Sequence, residues 1–179
     1  MAQQLAEIDR IANDPAAPTF ENTIAAMERA GRTLDRVGTI YGVYSSTLND
    51  EAVQAVEREM APKLAAFSDQ ITQNPQLFER IAKVYETRET SGLTPEQQRL
   101  TWVYYTNFVR AGARLDAAGK KRTAEINQEL ASLFTTFGQN VLKDENEGVI
   151  FLDQASALAG LPQGVRDGIS PITHGSALY

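Results

Sequence analysis

The stretch PTFENTIAAMERAG, residues 18–31, carries the signals of a helix start. Thr19 has the side chain of an N-cap, with Pro18 just outside the helix. Glu21 places a negative charge in the first turn, where the helix dipole favours it. The apolar residues that follow are spaced three and four apart, as on one face of a helix: Phe20, Ile24 and Met27.

This apolar stripe keeps its phase beyond Gly31, which is the last residue of the stretch. A glycine inside a helix costs about 1 kcal/mol relative to alanine, which one helix can absorb. The sequence therefore predicts a single long helix over residues 20–48. Its stripe continues through Leu34, Val37, Tyr41, Tyr44 and Leu48.

Similar rules predict helices on both sides of this one. The first covers residues 2–13 and is closed by Asp14 and Pro15, and the third begins at Asn49–Asp50 and is kinked at Pro62. The fourth begins at Asn74–Pro75 and stops at Gly92, and the fifth begins with a capping box of Thr94 and Gln97. A sixth, long helix begins at Asp116 and carries a stripe of Ile126, Leu130, Leu133, Phe134, Phe137 and Val141. The fold class expected is an all-α, antiparallel bundle of long helices.

The helical pattern changes after residue 147. The run VIFLD suits one short strand near 149–152, and a helical turn ending at Gly160 and a helix beginning at Pro162 follow it. Three parts are therefore expected: a helical domain over 1–147, the start of a further segment over 148–167, and an irregular tail over 168–179. The tail carries no charge and resembles foreign or frame-shifted sequence, so a truncated chain is expected.

Composition narrows the function classes. A formal net charge of -6 and a pI near 4.9 argue against nucleic acid as a partner. The basic cluster Lys120–Arg122 is followed at once by Glu125 and Glu129 and is interpreted as a solvated helix face. The N-terminus lacks the pattern of a signal peptide and no window is apolar enough to span a membrane, so a cytoplasmic protein without a membrane partner is expected.

The residues offer no convincing catalytic, cofactor or metal site. The chain has no cysteine and one histidine, His174, whose pairing with Ser176 in the tail is interpreted as incidental. The stretch at 112–120 lacks the glycine spacing of a phosphate-binding loop. The acidic run at 144–147 is interpreted as a solvated turn. The tyrosines could line a groove but are interpreted as core residues: Tyr41, Tyr44, Tyr85, Tyr104 and Tyr105.

Five stretches together resemble the N-terminal part of peptidyl-dipeptidases, in the dipeptidyl carboxypeptidase branch of the thimet oligopeptidase-like zinc metallopeptidases. They are NDPAAPTFENTIAAMERAG (13–31), PKLAAFSDQITQNPQLFERI (62–81), NFVRAGARL (107–115), EINQELASLFTTFGQNVL (125–142) and LAGLP (158–162). The resemblance runs in order from residue 3 to about residue 167. It implies a large helical enzyme whose two halves surround a channel that admits short peptides.

In this family the zinc and the catalytic glutamate belong to an H-E-x-x-H helix, which these 179 residues do not contain. The resemblance therefore assigns no catalytic or metal residue here, and an inactive chain is expected. It implies that the helices form one wall of the channel, with the catalytic half and short peptides as partners. Self-association through exposed apolar surface is a further expectation.

Two other functions stay open on the sequence alone. One is a free-standing helical scaffold that kept the fold and lost the enzyme. The other is a ligand-binding bundle that uses the tyrosines.

Overall fold

The computed structural model describes residues 1–148 and 155–168, and in these ranges it contains helices and no strand. The all-α class is therefore confirmed. The predicted strand near 149–152 and most of the predicted irregular tail lie outside the described residues. The helices are α1 (Ala2–Ala12), α2 (Ala25–Arg29), α3 (Arg32–Thr47), α4 (Glu51–Thr72), α5 (Pro75–Thr87), α6 (Pro95–Arg110), α7 (Ala117–Glu147) and α8 (Gln163–Asp167).

Two compact units divide the chain. The first is Met1–Asn140, and the second begins at Val141. In the described part of the second unit, a 3₁₀ turn over Ala155–Leu158 precedes α8, which begins after Pro162 as predicted. The domain boundary expected after residue 147 stays a prediction.

Four helical segments begin at the N-cap residues that the sequence predicts. The Thr19 and Thr94 hydroxyls each accept a hydrogen bond from a backbone N–H three residues later, and Asp50 and Asn74 do the same with their side-chain oxygens. Each bond satisfies one backbone donor that has no partner within the helix. The structure differs at the end of α5, which stops at Thr87. Gly92 lies instead in the following turn, at a φ of 73°.

The core of the first unit forms where α1, α2, α5 and α6 meet. A π-helical turn over Phe20–Ile24 leads into α2 and places Ile24 at the centre, with no exposed surface. Leu77 and Ile81 of α5 are equally buried, as the stripe of that helix predicted. Ile8, Ala12, Met27, Val84, Phe108 and Ala113 complete this buried cluster.

A buried arginine ties the chain between α1 and α2 to this core. The Arg80 Nη1 donates hydrogen bonds to the backbone oxygens of Asp14 (2.7 Å) and Ala16 (3.0 Å), and its Nη2 lies 3.5 Å from the Asp14 carboxylate. Arg80 is only 6% exposed. Because it satisfies two backbone acceptors of an irregular segment, it fixes how the chain enters the stretch at 18–31.

The single long helix predicted over 20–48 is wrong. The helix breaks at Ala30 and Gly31: Ala30 is extended, with a ψ of 151°, and Gly31 is left-handed, with a φ of 83°. The Gly31 N–H donates to the Glu7 carboxylate of α1 at 2.8 Å. The apolar phase survives the break, so periodicity alone could not reveal it.

The remaining long helices of the first unit are α3, α4 and the part of α7 before Val141. Residue numbers rise along α4 while those of its α7 partners fall, from the pair Gln54–Gln139 to the pair Asp69–Asn127. The two helices are therefore antiparallel. Helix α4 continues through Pro62, and the kink predicted there stays a prediction. No helix in the described ranges combines the length and the apolarity needed to cross a lipid bilayer.

Candidate functional site

The candidate residues that the structure describes do not converge on one place. His174 and Ser176 lie outside the described residues. The stretch at 112–120 runs from the turn after α6 into the first turn of α7, and its Lys120 ammonium donates to the backbone oxygen of Gln73 at 3.0 Å. The acidic run at 144–147 lies in the last turns of α7 and is exposed, and there Glu147 pairs with Lys143 at 3.8 Å.

The tyrosines are divided between two places. Tyr85 and Tyr105 stack with their ring centroids 3.9 Å apart, and the Arg88 guanidinium lies 4.0 Å from the Tyr85 centroid. Tyr41 and Tyr44 lie on α3, where Tyr44 is 51% exposed. The structure therefore gives no support to a single groove lined by all five.

Tyr104 has a structural partner. Its hydroxyl donates to the Glu28 carboxylate of α2 at 2.5 Å. Burial raises the pKa of Tyr104, and the hydrogen bond to Glu28 raises it further, because both disfavour the phenolate. The phenol therefore stays protonated at neutral pH and joins α6 to α2.

Among the described residues, no three or more histidine, cysteine, aspartate or glutamate side chains come close enough together to hold a metal ion. Residues 1–148 and 155–168 do not fit a zinc site of the kind that the resemblance implies for the whole enzyme.

The side of α7 that faces α4 is polar. The Asn127 amide donates to the Asp69 carboxylate at 2.7 Å, and Asp69 is only 8% exposed. About three turns further along, the Gln139 amide donates to the Gln54 backbone oxygen and to the Glu57 carboxylate, both at 3.0 Å. The Gln139 side-chain oxygen accepts from Arg58 at 2.6 Å. Side-chain hydrogen bonds therefore hold this part of α7 against α4.

The apolar side of α7 faces solvent, although a bundle would be expected to bury it. Phe134 is 70% exposed and Phe137 is 66% exposed. We call the exposed residues of this side the α7 stripe: Ile126, Leu130, Leu133, Phe134 and Phe137. A contiguous apolar surface of this kind typically marks an interaction site in a protein.

Helix α3 repeats this arrangement on a smaller scale. It contains no buried residue, and Val37, Ile40 and Val43 are each more than half exposed. The predicted stripe of α3 contains Val37 but neither Ile40 nor Val43, whereas the predicted stripe of α7 contains all five residues of the α7 stripe. The spacing of apolar residues could not show that the rest of the described chain leaves the apolar faces of α3 and α7 exposed.

No protein-family profile matches the chain. It is 36% identical to the dipeptidyl carboxypeptidase of Salmonella typhimurium over 89% of this chain and 23% of that protein. It is 34% identical to the dipeptidyl carboxypeptidase of Escherichia coli over 91% of this chain and 24% of that protein. A more distant relative is the organellar oligopeptidase A of Arabidopsis thaliana, 22% identical over 81% of this chain and 18% of that protein.

These similarities confirm the resemblance found in the sequence. The chain spans about a quarter of the length of the two bacterial relatives. Over nine-tenths of its own length, it is a relative of the bacterial dipeptidyl carboxypeptidases.

Proposed function

We propose that this chain is the noncatalytic, N-terminal helical part of a zinc-dependent peptidyl-dipeptidase, an enzyme that removes dipeptides from the C-terminus of oligopeptides. One observation carries the proposal: the similarity to dipeptidyl carboxypeptidases covers nearly the whole chain but only a quarter of those proteins. This coverage supports assigning the chain to one region of a longer polypeptide and the chemistry to the rest.

The chemistry of the donor groups supports this division. A catalytic zinc site needs three protein ligands and an open position for water. The chain has no cysteine and a single histidine, and the described residues bring no suitable carboxylates together. The zinc and the base that activates its water are therefore proposed to belong to the remaining three quarters of the enzyme.

The proposed role of the helices is to form one wall of the substrate channel. Rigid, long helices suit this role, because they hold an extended surface in place without contributing reactive groups. The antiparallel pair α4 and α7 provides such a surface within the first unit. A cytoplasmic location is proposed together with this function.

The exposed apolar faces favour this proposal over a free-standing scaffold, because a scaffold that functions alone would be expected to cover them. Purified chain should neither release dipeptides from a test peptide nor bind zinc stoichiometrically. Hydrolysis by a preparation free of other proteases, or one tightly bound zinc per chain, would contradict the proposal.

A hybrid enzyme provides the positive test. In this hybrid, the region of the Salmonella typhimurium dipeptidyl carboxypeptidase that matches this chain is replaced by this chain. We expect the hybrid to fold and to release dipeptides, because the replaced region only supports the site. A hybrid that folds but has lost activity would show that the region does more than support it.

A further inference from the structure

The α7 stripe has no covering partner among the described residues of the chain. We propose that it is the surface against which the remaining three quarters of the longer enzyme packs, through a helix that carries its own apolar stripe. This inference rests on the proposed function, and it adds the place of contact and the chemistry of the partner.

The exposed area is large enough for such a contact. With about 200 Å² for a whole aromatic side chain, Phe134 and Phe137 together leave about 270 Å² exposed. Ile126, Leu130 and Leu133 extend this area along the helix. The two phenylalanines alone approach the roughly 300–600 Å² of the largest apolar patch on a typical monomer.

The spacing of the stripe indicates what kind of segment covers it. Ile126, Leu130, Leu133 and Phe137 follow one another at intervals of four, three and four residues. This is the seam that one helix presents to another in coiled-coil packing, where each side chain enters a hole between residues of the facing helix. The partner should therefore be a helix with apolar residues at the same spacing, rather than a peptide or a polar ligand.

The rest of the enzyme is also the occupant best placed to reach the stripe. About three quarters of each bacterial relative lies outside the matched region. A segment joined to this chain by the backbone has an effective concentration of the order of millimolar. A second copy of this chain would compete at its much lower free concentration.

The polar side of the helix explains why the stripe stays available. Asn127 and Gln139, which lie outside the stripe, hold α7 against α4. A substitution in the stripe should therefore leave this contact intact. That separation allows the proposal to be tested without unfolding the region.

The test compares two double variants in the hybrid enzyme. Phe134→Glu with Phe137→Glu places two charges in the stripe. The control, Ser132→Glu with Thr136→Glu, adds the same two charges to exposed positions of the same helix outside the stripe. Heat inactivation is followed through dipeptide release, and the unfolding of each variant of the 179-residue chain is followed by circular dichroism.

In the hybrid, we expect the stripe variant to lower the temperature of half-inactivation by at least about 5 °C, because two carboxylates would be buried in an apolar contact. The control should change that temperature little. In the 179-residue chain, both variants should unfold at nearly the same temperature as the unchanged protein, because the substituted side chains are exposed.

The possible results separate this inference from the proposed function. An unchanged hybrid that fails to fold or to hydrolyse peptides would contradict the proposed function, and this inference with it. An active hybrid in which stripe and control variants behave alike would overturn this inference only. A third result would also overturn this inference: the isolated chain forms a dimer that the stripe variant dissociates, and the hybrid tolerates the same variant. The stripe would then be assigned to contact with a second copy of the chain.

Discussion

Replacing Gly31 by alanine tests the break between α2 and α3, where sequence and structure disagree. Gly31 has a φ of 83°, which costs an L-residue about 1–2 kcal/mol. A Cβ atom there would also overlap the side-chain amide of Gln4. Alanine also reduces the conformational entropy of the unfolded chain, which offsets about 0.4–1 kcal/mol of this cost. We therefore expect Gly31→Ala to lower the free energy of unfolding by about 1 kcal/mol.

Gly38 provides the matched control. It lies inside α3, and a Cβ atom added to it would meet no atom within 4 Å. Alanine should therefore stabilise this helix by about 0.5–1 kcal/mol, so the same substitution has opposite signs at the two positions.

Urea unfolding followed by circular dichroism at 222 nm measures both variants. With a slope of about 2 kcal/mol per molar urea, the midpoint should fall by about 0.5 M for Gly31→Ala and rise by about 0.3–0.5 M for Gly38→Ala. If Gly31→Ala raised the midpoint as Gly38→Ala does, one helix would run through residue 31 and the break would be wrong.

Three further variants test other parts of the first unit. Leu77→Ala should lower the free energy of unfolding by about 2–5 kcal/mol because Leu77 is fully buried, whereas Leu133→Ala, in the exposed stripe, should cost much less; urea unfolding compares them. Arg80→Met should cost about 2–4 kcal/mol, because it leaves two backbone oxygens of the α1–α2 connection without their buried donor, and limited proteolysis should show faster cleavage in that connection. The hydrogen bond from the Gly31 N–H lowers the pKa of Glu7 below its usual value of 4.5. The stability that the ionised Glu7 contributes is therefore present above pH 4.5 and is lost as the pH falls through the lowered pKa of the folded protein. Glu7→Gln should therefore lose less stability than the unchanged chain between about pH 5 and about pH 3, and equal losses would contradict the role of this hydrogen bond.

Helix starts were predictable because their signals are local. Thr19, Asp50, Asn74 and Thr94 each satisfy a backbone donor three residues away, so a short stretch of sequence contains the whole interaction. The break at Gly31 depends on Glu7, which lies 24 residues away along the chain. Helical periodicity carries no information about such a contact.

The candidate site shows a similar limit. The apolar spacing of the α7 stripe was visible in the sequence, and it predicts that something covers this side of the helix. It cannot say whether the cover is another helix of the same unit, a later part of a longer chain or another molecule. The polar contacts of Asn127 and Gln139 show that α4 lies against another side of α7 and does not cover the stripe. From the sequence alone, an asparagine or glutamine on a helix that bonds to a neighbouring helix cannot be distinguished from one that bonds to water.

The hydrogen bonds between α7 and α4 also set the rotation of α7 about its own axis. Apolar packing tolerates a helix that rolls by several degrees, but Asn127 and Gln139 each need an acceptor in one direction. Rolling the phenylalanines toward α4 would break both contacts and would remove the 2.7 Å hydrogen bond that Asn127 donates to the buried Asp69 carboxylate. The helix therefore cannot hide its apolar side by turning inward, and an incoming partner meets a surface whose orientation is already fixed.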